Sequence, residues 1–361
     1  MKYFKVAKEK FKKIHKEYSK RDILILGIES SCDETSVAIV KNGREVLSNV
    51  ISSQIEIHKR FGGVVPEVAS RNHVLAIENV VREALEKANV TLQDIDAIAV
   101  TYGAGLVGAL MVGVTYAKSL AMACELPLIK VNHIKGHMSA NYINYKELVP
   151  PFIGLIVSGG HTALVRVDNY TQNTLIGTTT DDAIGEAYDK VAKVLGLGYP
   201  GGPIVDKMAK EGKHNIQFVK HDMLKGTYNF SYSGLKTAVI NYLHNERQAG
   251  HEVNVADVCC SFQCEAVGML VDKAIRACKE YGFSTIAVAG GVAANSYLRT
   301  TLTEACEKEN IKVLFPPMSL CTDNAAMIAS EGYFNAISGE GLADLSLTAD
   351  PNINLKYSGR K

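Results

Sequence analysis

The sequence has little that would indicate a membrane protein, a secreted protein or a nucleic-acid binder from composition alone. No apolar run approaches the ~20 residues of a membrane-spanning helix, and no secretory signal pattern stands at the N-terminus. The formal net charge of +1 excludes a basic field over the whole protein. Apolar residues make up 47% of the 361 residues, which is an ordinary globular balance in a chain long enough for two domains. We therefore expect no membrane association.

The eight cysteines include no Cys-x-x-Cys pair, which excludes a zinc knuckle and a thioredoxin-type motif. Half of them, Cys259, Cys260, Cys264 and Cys278, lie in a long helical pattern with an apolar face. We interpret these four as buried reduced thiols, with iron–sulfur ligation as the alternative. Reduced thiols are typical of the cytosol, so a cytoplasmic location is expected.

Residues 1–22 form a basic leader, with nine Lys and Arg residues against three acidic ones. Apolar residues recur in it at spacings of three and four, so it can be an amphipathic helix that touches RNA, a membrane surface or a partner. The interpretation we favour is a solvated, partly frayed extension. A transit peptide is disfavoured by the acidic residues and the scarcity of Arg and Ser.

After the leader, the apolar pattern predicts hairpin strands followed by strand–helix alternation, and this plan occurs twice. Residues 95–110 (IDAIAVTYGAGLVGAL) resemble residues 285–298 (TIAVAGGVAANSYL), which indicates a duplicated domain. The predicted fold class is α/β, with an N-terminal domain over 23–150 and a C-terminal domain over 151–338 that face a cleft. A turn-rich insert is expected at about 196–233 and a tail at 339–361. Continuous helices are expected over 292–309 and from about 322 to 337.

Glycine-rich turns follow several predicted strands, at 103–105, 158–160 and 290–291 among other places. Backbone N–H groups at such turns can hold a phosphate without obstruction by side chains. Any single turn is as easily explained by chain geometry, but the symmetric placement in a duplicated chain favours a nucleotide. Nearby acidic residues could hydrogen-bond ribose hydroxyls or could be solvated surface charge; they are Asp181, Asp182, Glu186, Asp189 and Asp206.

The stretch 133–137 (HIKGH) places His133 and His137 four residues apart at the expected start of a helix. Residues at this spacing lie on one face of a helix, so both imidazoles can reach one metal ion. Zinc proteases carry a Glu directly after the first His as general base, and here that position is Ile134. A metallopeptidase is therefore disfavoured, and two surface histidines remain the alternative to a metal site.

Seven motifs together resemble the tRNA N6-adenosine threonylcarbamoyltransferase family, formerly labelled O-sialoglycoprotein endopeptidases. They are 27–35 (GIESSCDET), 133–137 (HIKGH), 157–162 (VSGGHT), 198–203 (GYPGGP), 230–236 (FSYSGLK), 289–295 (AGGVAAN) and 321–327 (CTDNAAM). The resemblance runs from about residue 23 to about 338 and leaves the leader outside. It implies the duplicated fold of actin, the hsp70 ATPases and sugar kinases (ASKHA), with a nucleotide cleft. It also implies transfer of the threonylcarbamoyl group of threonylcarbamoyl-adenylate to N6 of adenosine 37, in tRNAs reading codons that begin with A, with release of AMP (t6A synthesis).

The resemblance implies that His133, His137 and Asp323 are the metal ligands, and that the ion bridges the two domains. Two His and one carboxylate with open positions suit Fe(II), with Zn(II) as the alternative. The implied substrate-binding residues are Ile156, Val157, Ser158, Gly159, Gly160, Asp189, Gly202, Asp206 and Asn295. No general base is assigned, and Asp33 and Glu34 are candidates only because they lie on a motif turn.

The resemblance also implies partners: tRNA, an inactive paralogue, a small P-loop ATPase and a separate adenylate-forming enzyme. The helix predicted near 66–88 is a candidate for the paralogue interface. The alternative function is an ATP-dependent kinase or ATPase of the same fold, which would release ADP from ATP alone. A non-catalytic scaffold is a third interpretation, disfavoured because every metal and glycine position is present.

Overall fold

The computed structural model describes residues 2–218, 224, 226–353 and 355–357, and of Lys2, Lys356 and Tyr357 only the backbone. Met1 of the leader and parts of the predicted insert (196–233) and tail (339–361) lie outside the described residues. The chain divides into two compact units. The first comprises Met1–Pro150, Asn169–Asn173 and Thr322–Leu355, and the second Pro151–Asp168, Thr174–Cys321 and Lys356–Lys361.

The predicted helices and strands occur in the expected order, and most of their ends agree within two or three residues. The structure also contains elements that were not predicted, among them a helix at Gly201–Ala209 inside the expected turn-rich insert. Up to residue 144 the helices and strands are α1 (Lys2–Glu17), β1 (Leu24–Glu29), β2 (Glu34–Lys41), β3 (Glu45–Ser53), α2 (Ile55–His58), α3 (Pro66–Ala88), β4 (Ala97–Gly103), α4 (Val107–Ala123), β5 (Leu128–Asn132) and α5 (His133–Asn144). From residue 152 they are β6 (Phe152–Val157), β7 (Thr162–Val167), β8 (Asn173–Thr178), α6 (Ile184–Val194), α7 (Gly201–Ala209), α8 (Ser233–Gln248), α9 (Val255–Tyr281), β9 (Thr285–Ala289), α10 (Ser296–Lys308), β10 (Lys312–Leu314), α11 (Ala325–Ile337), β11 (Leu342–Ala343) and β12 (Lys356–Tyr357).

Two predicted helices start later than expected, and the reason in both cases is an asparagine cap. The continuous helix over 292–309 is wrong: a 3-10 turn at Gly291–Ala294 precedes α10, and Asn295 caps α10 through its side chain. Asn324 likewise caps α11, which therefore begins at Ala325 and not near 322. An Asn side chain satisfies an N–H group of the first turn, so a helix starts directly after it.

The first unit contains a six-stranded sheet in the order β11-β5-β4-β1-β2-β3. β1 is antiparallel to β2, while β4 is parallel to both β1 and β5. Between β2 and β3, Asn42 and Gly43 both have positive φ, as the predicted hairpin turn requires. The carboxyl ends of β1, β4 and β5 therefore meet at one edge of the sheet, where polar turns follow.

The second unit contains a six-stranded sheet in the order β10-β9-β6-β7-β8-β12. β6 is antiparallel to β7 and parallel to β9, which repeats the relation of β1 to β2 and β4. Apart from the edge strands β11 and β12, the two sheets have the same strand order. This confirms the predicted α/β fold with a duplicated architecture.

The segment that contains α11 belongs to the first unit, whereas the predicted boundary places residues up to 338 in the C-terminal half. α11 is buried on nearly all sides and packs closely on β1 and β4 through glycines. A Cβ added at Gly27 would lie 2.4 Å from the Ala325 carbonyl oxygen, and one at Gly332 would lie 2.5 Å from Ala99 Cβ. Because glycine has no side chain, these two positions allow α11 to lie directly on the first sheet.

The expectation of a frayed leader is wrong, because α1 is a regular helix packed into the first unit. Its Ala7, Phe11 and Ile14 are buried, and it contacts α11. The Tyr3 hydroxyl donates to the Leu126 carbonyl oxygen at 2.8 Å. The amphipathic pattern was real, and the buried stripe stabilises the helix against fraying. No helix among the described residues is long and apolar enough to cross a membrane.

Candidate functional site

Helix α5 begins directly at the end of β5 and presents both predicted histidines. The Asn132 side chain caps it, accepting from Ile134 N at 2.9 Å. The ring centroids of His133 and His137 are 4.6 Å apart, and both side chains are buried. They are therefore not the surface histidines of the alternative interpretation.

Asp323 lies in the turn before α11, and its carboxylate lies against both imidazoles. Asp323 Oδ1 is 3.4 Å from His133 Nε2 and 3.2 Å from His137 Nε2. All three residues belong to the first unit. The expectation that the ion bridges the two domains is therefore wrong, because α11 packs on the first sheet and carries Asp323 with it.

A second carboxylate contacts the other ring nitrogen of His133, Nδ1. Glu29 Oε2 is 3.0 Å from His133 Nδ1, and it accepts from the Thr101 hydroxyl at 2.7 Å. The other oxygen, Oε1, accepts from Ser31 N at 2.5 Å. Such a contact fixes the imidazole with the proton on Nδ1 and leaves Nε2 available as a ligand atom.

The donor set fits one metal ion. Ligands at ~2.1 Å from an ion lie about 3.0–3.4 Å apart for bond angles between octahedral and tetrahedral values, and the Nε2–Oδ1 distances here are 3.2 and 3.4 Å. Neither buried ring nitrogen of His137 makes a hydrogen bond to a described residue, so the 3.2 Å contact with Asp323 is off hydrogen-bond geometry. A metal ligand would satisfy one of these nitrogens. Among the described residues, these three are the cluster whose ligand atoms can converge on an ion.

The charges at this cluster stabilise one another. Burial would lower the pKa of His133, but the carboxylates of Asp323 and Glu29 outweigh it and raise that pKa well above its usual value. Burial would likewise raise the pKa of Asp323, but His133 and His137 bring it well below the usual range. Burial first, and then Asp323 and Asp33, raise the pKa of Glu34 to about 9. A neutral Glu34 carboxyl would be a poor general base at neutral pH.

The predicted substrate-binding residues all lie in the second unit: at the end of β6 and in the turn after it, on α6 and α7, and directly before α10. Ile156 and Val157 are the buried end of β6, while Gly159 and Gly160 are exposed in the turn that follows. Ser158 N donates to the His161 carbonyl oxygen at 2.8 Å, which closes this turn. A Cβ added at Gly159 or Gly160 would meet nothing within 4 Å, so a ligand can approach the backbone closely on this side of the turn.

The remaining four substrate-binding candidates form a hydrogen-bonded group with neighbouring turns. Asp189 Oδ1 accepts from Gly201 N at 2.7 Å, which links α6 to the start of α7 beside Gly202. Asp206 accepts from both Ser296 N and Ser296 Oγ, at 3.1 and 3.0 Å. These bonds connect α7 to the first residue of α10.

Asn295 fixes the same turn from inside the unit. Its Oδ1 accepts from Leu298 N at 2.8 Å, and its Nδ2 donates to Gln263 Oε1 at 2.8 Å and to the Tyr188 hydroxyl at 3.4 Å. The amide is therefore engaged within the protein on both sides. Asn295 fixes the shape of the turn in addition to any contact with a ligand.

Of the acidic residues noted in the sequence, Asp181 and Asp182 make contacts that stabilise the second unit. Asp181 accepts from Tyr232 N at 2.8 Å and from Ser233 N, at the start of α8, at 3.2 Å. Asp182 pairs with Lys190 and Lys236 at 2.7 Å each. For these two, the interpretation as structural charge is the one that the contacts support. Cys259 and Cys278, on α9, are buried with free thiols, in agreement with the reduced-thiol interpretation, but Cys260 and Cys264 are only half-buried, so the prediction of burial is wrong for these two.

Several residues of the site were missed in the sequence. Glu29 contacts His133, Ser31 and Thr101 donate to Glu29, and Tyr188 and Gln263 contact Asn295. Glu29 carried a usable signal, because a charged residue at the end of an otherwise apolar strand needs a buried partner. Gln263 carried none, since it is one polar residue within a long helix.

Comparison with known proteins agrees with the motifs. Residues 45–330 match the family model TsaD, tRNA N6-adenosine threonylcarbamoyltransferase. The chain is 56% identical over 335 residues to the tRNA N6-adenosine threonylcarbamoyltransferase of Clostridioides difficile strain 630, covering 92% of this chain and 99% of that protein. It is 59% identical over 333 residues to the protein of the same name from Clostridium perfringens strain 13, covering 92% and 98%.

Solved structures agree on the fold. HypF of T. kodakarensis superposes with a TM-score of 0.62 at 14% identity, covering 89% of this chain and 48% of that one. This likeness confirms the actin-like fold class that the resemblance implied. With a family match over most of its length and relatives above 50% identity, the chain belongs to the tRNA N6-adenosine threonylcarbamoyltransferase family.

Proposed function

We propose that the chain moves the threonylcarbamoyl group of threonylcarbamoyl-adenylate to N6 of adenosine 37, in tRNAs that read codons beginning with A, and releases AMP. Family membership supports the reaction class. The single structural observation that carries the proposal is the approach of His133 Nε2 and His137 Nε2 to one Asp323 oxygen, at 3.4 and 3.2 Å. Buried imidazoles held this way suit a catalytic metal with open positions.

His133, His137 and Asp323 would hold the metal, and Fe(II) is the ion that we propose, with Zn(II) as the alternative. A bound divalent ion would supply Lewis acidity toward a substrate oxygen. Glu29 keeps the His133 proton on Nδ1, so that Nε2 stays a ligand atom. The buried position of both imidazoles limits the access of bulk water to them.

In the second unit, we propose that the backbone at Gly159 and Gly160, which a ligand can approach closely, binds the phosphate of the adenylate. Asp189 and Asp206 would accept from hydroxyl groups, and Gly202 leaves the start of α7 uncovered. Ile156, Val157, Ser158 and Asn295 would act through the backbone that they fix.

AMP leaves as a phosphate anion, so the reaction does not need a strong general acid. The exocyclic amine of adenine is a weak nucleophile, and positioning of the two substrates should supply much of the acceleration. Asp33 remains the candidate base on the motif turn, because the raised pKa of Glu34 keeps that carboxyl neutral at pH 7. The site of action would be the cytoplasm.

Four apolar side chains on α3 and α4 support a protein partner for the first unit. Val74 and Leu75 on α3 are 62% and 76% exposed, and Val107 and Met111 on α4 are 54% and 55% exposed. A Cβ at Gly108 would lie 2.4 Å from Ser70 Oγ, so the two helices approach closely here. We propose that this apolar surface binds the inactive paralogue, whose own surface should be apolar to match.

The interface test is Leu75→Glu, which places a charge in the centre of that surface and should weaken the complex with the purified paralogue at least tenfold. Glu78→Gln, one turn further along α3, is the control and should bind as the wild type does. If titration calorimetry gives the same affinity for Leu75→Glu and wild type, the paralogue binds a different surface. The P-loop ATPase and the adenylate-forming enzyme are proposed as further partners of the reaction.

The central test measures transfer directly. Unmodified tRNA is incubated with the chain, its partners and threonylcarbamoyl-adenylate. The tRNA is then digested to nucleosides, and the modified nucleoside is detected by mass spectrometry. His133→Ala should lose bound metal and most transfer while keeping its circular dichroism spectrum, and His251→Ala, an exposed histidine paired with Glu246, should keep both. Full metal content in His133→Ala would refute the ligand assignment. Stoichiometric ADP release from ATP alone would favour the kinase or ATPase alternative.

A further inference from the structure

Helix α1 concentrates positive charge, whereas the rest of the chain carries a small negative net charge. It carries seven lysines and two glutamates in 16 residues, whereas the whole chain has a net charge of +1. Five of these lysines have exposed side chains and are called here the lysine face: Lys5, Lys8, Lys12, Lys13 and Lys16. The helix lies outside residues 45–330, which match the family model, so the family comparison assigns no role to it.

The helix is held in place at both ends and along one side. Near its start, the Tyr3 hydroxyl donates to the Leu126 carbonyl oxygen at 2.8 Å, and near its end His15 Nδ1 lies 2.6 Å from the Ile337 carbonyl oxygen. Between them, Ala7, Phe11 and Ile14 are buried with 0, 5 and 1% exposure. The opposite side therefore faces solvent in a fixed orientation, and its lysines need little further ordering to bind a ligand.

The lysines on that side form a row. At 100° per residue, Lys5, Lys12 and Lys16 point within about 40° of one another, and the row from Lys5 to Lys16 is about 16 Å long. The exposed Glu9 pairs with Lys12 at 2.9 Å. The pKa of Glu9 is lowered, first by Lys12 and then by Lys16 and Lys8, as a net positive field requires. One acidic group among five lysines leaves the surface strongly positive.

We propose that the lysine face binds the phosphate backbone of tRNA. The proposal rests on the proposed function, which makes tRNA the substrate. An anionic polymer needs positive groups on the protein, and α1 supplies them where the net charge of the chain does not. Lysines recognise phosphates as point charges without reading sequence, so this contact would add affinity for any tRNA and leave the choice of adenosine to other residues.

An anionic membrane is the competing ligand for a basic amphipathic helix, and the packing of α1 argues against it. A helix that binds a bilayer inserts its apolar side among the lipid chains. The apolar side of α1, which includes Phe11 and Ile14, is already buried in the first unit. Membrane binding would require α1 to separate from the first unit, whereas RNA can bind the exposed lysines without any change in the position of the helix.

The test neutralises the row without disturbing the packing. Deletion of residues 1–20 is unsuitable, because it would uncover the surface that Phe11 and Ile14 bury. In the triple variant Lys5→Gln/Lys12→Gln/Lys16→Gln, glutamine keeps the helix propensity of lysine. The control variant, Lys210→Gln/Lys213→Gln/Lys308→Gln, removes the same charge from exposed lysines of the second unit. Circular dichroism and the unfolding midpoint establish that each variant is folded.

Binding of unmodified tRNA is measured by fluorescence anisotropy from about 50 to 200 mM salt. The triple variant should bind at least about tenfold more weakly at the low end, and its slope of log K against log salt should be smaller by about 2 to 3, at ~0.9 per lost phosphate contact. The control should keep the wild-type slope. A second triple variant with arginine at the same three positions should also keep it, because the charge is retained.

An unchanged slope in the glutamine variant, or an equal loss in the control, would overturn the proposal, since the effect would then be absent or due to bulk charge. A slope of log K against log salt that is smaller in the arginine variant than in the wild type would also overturn the proposal. Lysine-dependent binding to vesicles containing phosphatidylserine, with tRNA binding unchanged, would replace RNA by a membrane. At saturating tRNA the glutamine variant should transfer at the wild-type rate. If the wild type itself forms no modified nucleoside, the proposed function is wrong. The α1 proposal is still decided by how tRNA affinity depends on salt in the variants.

Discussion

Glu29→Gln tests whether the carboxylate behind His133 prepares the metal site. A carboxylate can only accept hydrogen bonds, so Glu29 requires the His133 proton on Nδ1, 3.0 Å away. Glutamine has nearly the same shape but one donor end. If its NH2 group faces His133, the proton must move to Nε2, the ligand atom. If it faces the Ser31 N–H group, which now donates to Glu29 at 2.5 Å, two donors oppose each other.

The first arrangement weakens metal binding directly, and the second leaves two buried donors opposed, because no solvent can replace the lost contact at a fully buried Glu29. Loss of a partner behind a metal ligand typically lowers metal affinity 10- to 100-fold, which corresponds to about 1.4–2.7 kcal/mol. The pKa of His133 is raised first by Asp323 and then by Glu29, and the substitution removes the second of these charges. We therefore expect a loss near 100-fold, at the upper end of this range.

The assay is competition for Fe(II), under anaerobic conditions, and for Zn(II), against a chromophoric chelator. Glu331→Gln is the matched control, because Glu331 is also a buried glutamate of the first unit but pairs with Ser139 at 2.7 Å and not with a proposed ligand. It should keep metal affinity within about threefold of wild type. Wild-type affinity in a folded Glu29→Gln variant would refute the role that the geometry gives to this carboxylate.

Two further predictions concern stability. Burial is the main cause that raises the pKa of Glu331 to about 7 from 4.5. A raised folded pKa favours the neutral carboxyl, so its contribution is complete below about pH 4.5 and is lost as pH rises to about 7, in total about 3 kcal/mol. Glu331→Gln should therefore gain about that much free energy of unfolding over wild type between pH 4.5 and 8 in urea titrations, and a pH-independent difference would contradict this. Gly27→Ala places a Cβ 2.4 Å from the Ala325 carbonyl oxygen and should lower the free energy of unfolding by about 1–3 kcal/mol. Gly268→Ala, where a Cβ meets nothing within 4 Å, should be neutral or slightly stabilising, and equal effects of the two would show that the close approach of α11 is unimportant.

The sequence by itself determined the local structure and the family. Alternation of apolar residues, turn residues and helix spacing follow from backbone geometry, so strands such as β6 and helices such as α3 could be placed to within a few residues. The pair His133 and His137 was assigned to one helix face for the same reason, since four residues make about one turn. The duplication was also visible, because the same local pattern occurs twice.

The tertiary structure alone decided which distant parts meet. α11 is apolar on nearly every side, so its pattern could not say which sheet would cover it, and the glycines at 27 and 332 admit it to the first sheet. That packing brings Asp323 to His133 and His137, and it offers the apolar side of α1 a place to dock. Glu29 is recognisable as a partner of His133 only when β1 and β5 end at the same edge. Contacts between residues about a hundred or more positions apart have no period in the sequence, and they depend on which surfaces fit together.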